Sequence, residues 1–91
     1  VDIIDVSDPA KPKHVGSYHV DGGDVTVVEV ADNLVYVGLE NRHSKYPMFT
    51  RLVILDISHP GSPRETGYLD IVEDSITAIE VVGDRVYLGH E

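Results

Sequence analysis

The chain contains no cysteine, so histidine and carboxylate side chains are its strong metal ligands, and disulfides, thiolate sites and thiol nucleophiles are excluded. Its five histidines, His14, His19, His43, His59 and His90, lack the His-x-x-x-His or His-Glu-x-x-His spacing that sets two imidazoles on one helix face. His90, followed by Glu91, has the setting of a strand-end ligand. With His43 on the same face it would begin a transition-metal site that other residues have to complete. A second chemistry belongs to the carboxylates. Asp24 and Asp74 stand close to the start of apolar, strand-like runs, beside Asp21-Gly22-Gly23 and Glu73, with Glu40 approaching the same face. Carboxylates converging from successive repeats supply the oxygen ligands that calcium takes. Neither an EF-hand nor a nonapeptide calcium spacing is present. In a chain with 16 acidic residues, solvated loop carboxylates are the competing reading. No cofactor is therefore expected, with calcium or a transition metal at Asp24, Asp74, His90 and Glu91 as the exception to test.

Asn41 to Arg51 carries a different kind of chemistry. It holds Arg42, Lys45 and Arg51 of the seven basic residues, together with His43, Tyr46, the single Met and the single Phe. Cationic and aromatic side chains on an extended loop over a rigid scaffold form a recurring binding surface, and Arg42, His43, Lys45, Tyr46 and Phe49 are its candidate contacts. The alternative is structural, with Tyr46, Pro47, Met48 and Phe49 folding back as a small apolar cluster. Elsewhere the structural reading dominates. Asp5 and Asp56 each stand before a Ser-x-Pro turn, where a carboxylate can accept amide N-H groups. Tyr36 and Tyr87 lie between aliphatic residues, as rings packed between sheets do.

The elements that must position these residues are short strands. The 91 residues hold 42% hydrophobic and 25% charged side chains, which suits one small domain, and no apolar run reaches the roughly 20 residues of a membrane span. A formal charge of -9 disfavours phosphate backbones and anionic lipid as partners. Sliding the chain by about 51 positions lays 1–40 over 52–91 with about 13 identities, a signature of repeat architecture. Asp5, Ser7, Pro9, Pro12 and Gly16 fall on Asp56, Ser58, Pro60, Pro63 and Gly67. Each copy reads as four strands. The first is stopped by a proline turn, the second is polar and suits a solvated edge, and the third is nearly continuous in apolar residues, as a strand buried on both faces would be. The fourth follows Asp32-Asn33 or Gly83-Asp84, dipeptides that tolerate the positive φ of tight hairpins.

Four strands per roughly 40 residues, with a buried inner and a solvated outer strand, predict an all-β chain of β-propeller blades. In this frame 1–24 supplies outer strands of one blade, 25–71 a complete blade with 41–51 inserted, and 72–91 inner strands of the next. Such a set cannot close a ring alone, so the remaining blades are expected from the same chain or from other subunits. Met48 is the single methionine and the chain opens on a strand-like run, which leads us to expect a segment of something longer.

Ile3-Ile4-Asp5-Val6-Ser7-Asp8-Pro9, Pro12 and Val15-Gly16-Ser17-Tyr18 resemble the LVIVD repeat. Leu52-Val53-Ile54-Leu55-Asp56-Ile57-Ser58, Pro60, Pro63, Gly67 and Tyr68 form a second copy. Gly38 and Gly89 stand where the family usually has alanine. The resemblance implies an incomplete propeller from an exported, cell-surface or periplasmic protein, and carries over no catalytic residue. The expected function is a non-enzymatic scaffold for protein or ligand contacts. The alternatives are part of a metal-dependent propeller enzyme with its site at the channel mouth, and a structural subunit of a larger assembly.

Overall fold

A computed structural model describes residues 1–20, 23–41, 49–71 and 76–90, with the side chains of Asn41, Phe49 and His90 outside the description. The chain is all-β: β1 (Asp2–Asp5), β2 (Lys13–Ser17), β3 (Asp24–Ala31), β4 (Leu34–Asn41), β5 (Phe49–Asp56), β6 (Arg64–Ile71), β7 (Ile76–Val82) and β8 (Arg85–His90). Every pairing is antiparallel and joins neighbours in sequence, giving a β1-β2 pair, a four-stranded β3-β4-β5-β6 sheet and a β7-β8 pair. The four-stranded sheet is a propeller-like blade, flanked by half-blades.

Turn chemistry sets these hairpins. Asp32, at φ 55°, and Gly83, at φ 59°, take the left-handed conformation at the start of their two-residue turns. At the proline turns, Asp5 Oδ1 accepts the Ser7 amide at 2.8 Å and Asp56 Oδ1 accepts the Ser58 amide at 2.8 Å. The Ser58 hydroxyl adds a bond to the same oxygen at 2.7 Å. These bonds satisfy amides that proline turns leave outside the ladder.

The repeat extends to irregularities. Pairing skips Val15, Thr26, Thr66 and Thr77, so a β-bulge falls at both copies of each position. At three of the four, the threonine hydroxyl donates across the strand pair: Thr26 to Gly38 O at 3.2 Å, Thr66 to Ile54 O at 3.2 Å and Thr77 to Gly89 O at 3.3 Å. Each hydroxyl thereby occupies a carbonyl at the point where the bulge disturbs the ladder. β4 and β5 alone pair through eight residues with no shift in register.

The blade has a core on each face, because successive strand residues point to opposite sides. Val35, Val37, Leu39, Val53 and Leu55 form one, against Val1, Tyr18 and Val20 of the first half-blade and Ile57. Tyr36 and Leu52 form the other, with Ile76 and Ile79 of the second half-blade. β3, expected to be buried on both faces, is mostly exposed. The continuous burial falls on β4 and on most of β5. The physical reason is position: β3 is the terminal strand of its sheet, and its outward residues, Val28 and Val30 among them, lie beyond the reach of the β1-β2 pair. The inserted segment also differs from expectation, since Asn41, Phe49, Thr50 and Arg51 are strand residues, leaving 42–48 between the strands.

Gly16 seats the first half-blade on the blade. A Cβ there would lie 1.9 Å from Pro60 O, a clash with backbone that cannot swing aside. Its counterpart Gly67 has nothing within 4 Å. Gly16→Ala should cost about 1–3 kcal/mol in urea unfolding of the dilute chain, with Gly67→Ala close to neutral; equal losses at both positions would contradict this packing.

Candidate functional site

One end of the blade gathers most of the residues with chemistry. There the strand pairs terminate in Asp24 opposite Glu40, Asn41 opposite Phe49, Thr50 opposite Ile71, and Ile76 opposite His90. Glu40 is 1% exposed and Thr50 is fully buried. They share the face of Tyr36 and Leu52, because pairing of β4 with β5 runs past the apolar core into the inserted segment. The Thr50 hydroxyl donates to Ile71 O at 2.9 Å, which ties β5 to the end of β6. Thr26 also reaches Ile76 O at 3.3 Å, joining this end of the blade to the second half-blade.

The opposite face at the same end carries a charge clamp. Arg51 Nε donates to Asp70 Oδ1 at 2.5 Å and Nη2 to Oδ2 at 3.2 Å, the two-pronged geometry in which a guanidinium matches a carboxylate. The guanidinium lies over the Tyr68 ring, 4.2 Å from its centre. The Arg51 hydrogen bond holds the Asp70 carboxyl below its ordinary range, and Asp70 in turn raises Arg51. A carboxylate lowered on folding stabilises the fold above the unfolded carboxylate value of roughly 3.9 and loses that contribution as pH falls through its folded value.

The candidates from sequence distribute unevenly over this end. Asp24 is exposed at the first position of β3. Phe49 opens β5 and His90 closes β8. Arg42, His43, Lys45, Tyr46, Asp74 and Glu91 lie outside the described residues. Among the described residues no three His, Asp or Glu side chains gather as a metal-binding group, and no pocket is present. What the geometry offers is a fixed platform, with a buried carboxylate and hydroxyl on one face and a clamped guanidinium on the other. Sequence reasoning overlooked Thr50 and the Arg51–Asp70 pair. The signal was cross-strand and out of reach of simple counting: five steps back from Asp56 and five forward from Arg64 set Arg51 opposite Leu69, and the bulge at Thr66 moves its partner to Asp70.

Asp70→Asn removes the titrating group and keeps its shape. Its thermal midpoint should fall less steeply than the wild type's between pH 5 and pH 3; parallel profiles would show that the clamp contributes nothing to acid sensitivity.

The LVIVD repeat family model matches residues 1–20 and 22–71. No curated protein and no solved structure matches the chain. The second matched segment ends with the last residue of β6 and holds all four strands of the blade, while the first holds the β1-β2 half-blade. Since the matched segments cover most of the chain and follow its sheets, the chain belongs to the LVIVD repeat family.

Proposed function

We propose that this repeat scaffold is non-enzymatic and makes protein or ligand contacts at the end of the blade where 42–48 joins β4 to β5. The observation that carries the reading is the rigidity of the support. β4 and β5 pair in unbroken register and contain Val37, Leu39, Val53 and Leu55, all inaccessible to solvent. Such a ladder fixes the backbone positions of Asn41 and Phe49, between which the proposed contacts lie. Arg42, His43, Lys45, Tyr46 and Phe49 are the proposed contacts, and an extracellular, cell-surface or periplasmic setting is proposed with them on the family resemblance alone. A second reading, a subunit of a larger assembly, is supported by two strand edges: among the described residues β1 pairs only with β2, and β8 only with β7.

Binding to a peptide and glycan array, compared between wild type and the Tyr46→Ala, Phe49→Ala double variant, tests the first reading. The variant should lose the array signals while its stability changes by less than about 0.5 kcal/mol. Intact signals with a large loss of stability would assign the two aromatics to the fold instead. Calcium and zinc titrations separate the metal-enzyme alternative: neither ion should raise the thermal midpoint, and a saturable rise abolished by Asp74→Ala or His90→Ala would replace the scaffold reading.

A further inference from the structure

On the second face of the central ladder, Tyr36, Gly38 and Glu40 of β4 stand opposite Ile54, Leu52 and Thr50 of β5, and Gly38 contributes no side chain. A glycine inside a strand weakens it, through backbone entropy and lost packing, and marks a place where another segment comes close. Gly38 is not among the residues with left-handed φ, so the missing side chain supplies room and not conformation. That room is used. A Cβ there would lie 2.8 Å from Val27 Cγ1 and 3.3 Å from both Cβ and Cδ1 of Ile76. Ile76 opens β7 and is 3% exposed, so the second half-blade enters the notch with its first residue.

Main chain follows side chain at this point. The Thr26 hydroxyl, at the β3 bulge, donates to the Gly38 carbonyl at 3.2 Å and also reaches the Ile76 carbonyl at 3.3 Å. One hydroxyl proton therefore serves a strand of the blade and a strand of its neighbour. At the outer bulge, by contrast, the Thr66 hydroxyl bonds Ile54 O of its own sheet. We propose that Ile76 in the Gly38 notch, held by Thr26, is a latch that shuts the second half-blade onto this end of the blade and keeps Glu40 and Thr50 inside the molecule.

Glu40 lies two residues beyond Gly38 on the same face, buried, and opposite fully buried Thr50. Tyr36 lies two residues before Gly38, in an apolar cluster that includes Ile79. Releasing Ile76 therefore leaves Ile79 as an anchor, and the half-blade opens at one end without leaving the blade, a sub-global opening. Such opening turns a buried carboxylate and hydroxyl into surface. Water favours both groups over an apolar interior, so the latch works against their hydration. Gly38 is the determinant because no rotamer change loosens the contact. Val27 is β-branched and stiff about χ1, and Ile76 Cβ is attached directly to its strand. An alanine at position 38 wedges the two sheets apart at this end. The latch stands apart from the binding reading, since neither its geometry nor its test involves a partner.

Amide hydrogen exchange, with carbodiimide labelling of carboxylates by glycine ethyl ester, tests the latch in Gly38→Ala. Exchange along Ile76 to Ile79 should rise at least about tenfold while β1 and β2 are unchanged. Glu40 should label faster relative to exposed Asp24. Adding Val27→Ala should return both signals to within about threefold of the wild type, a rescue that a general loss of stability would not show. Thr26→Val removes the hydroxyl and adds no atom to the notch. It should move the same two signals in the same direction, so the result does not depend on an alanine that unfolds the chain. Acceleration spread evenly over all strands, unchanged Glu40 labelling in both variants, or failure of Val27→Ala to rescue Gly38→Ala overturns the latch.

Discussion

The ladder between β4 and β5 carries the constraint on which the other elements depend. Its eight pairs run without a bulge from Leu34 opposite Asp56 to Asn41 opposite Phe49, while each other strand pair contains one irregularity. A regular ladder at the centre keeps Val35, Val37 and Leu39 in phase with Val53 and Leu55 on one face, and Tyr36 with Leu52 on the other. Slipping it by one residue would turn both sets over. Bulges in the other pairs then add twist where the sheets meet their neighbours, and the threonine hydroxyls at Thr26, Thr66 and Thr77 bond across three of the four.

That regularity also explains how polar residues come to be buried at the loop end. Glu40 and Thr50 continue the alternation begun by Tyr36, Gly38 and Leu52, and lie in a face already committed to packing against the second half-blade. Removing a carboxylate and a hydroxyl from water costs free energy that is recovered only by hydrogen bonding. For Thr50 the recovery is the Ile71 carbonyl. Arg51, one residue later, points to the opposite face and is clamped by Asp70 and Tyr68, so the two sides of this end differ in chemistry.

Local features were legible in the sequence because local chemistry produces them. Asp32 and Gly83 announced their turns, Asp5 and Asp56 their amide bonds, and the identities from Asp5 to Gly67 the repeat. Burial was not legible in the same way. β3 is as apolar as β4, and which of them is covered depends on its place in the sheet and on the neighbouring half-blade, neither of which is written in its own residues. The candidate site was partly legible for a related reason. Glu40 and Asp24 stood out as loop-end acids, but the Arg51–Asp70 clamp needs the β5–β6 register, and that register contains a bulge at Thr66 that single-strand periodicity does not reveal.

Sheet topology has a kinetic side. Each hydrogen-bonded strand pair joins elements adjacent along the chain, so no ladder has to wait for a remote segment to diffuse into place, and loop-closure entropy is small at every step. Hairpins formed on the microsecond scale can add to one another in either direction, with the unbulged central pair as the natural nucleus. Docking of the two half-blades, where Gly16 meets Pro60 and Ile76 and Ile79 meet Tyr36 and Leu52, then comes late, since these steps bring together surfaces from separate sheets. A polypeptide organised in this way acquires its structure progressively as it is synthesised, each sheet offering the next a finished surface on which to condense.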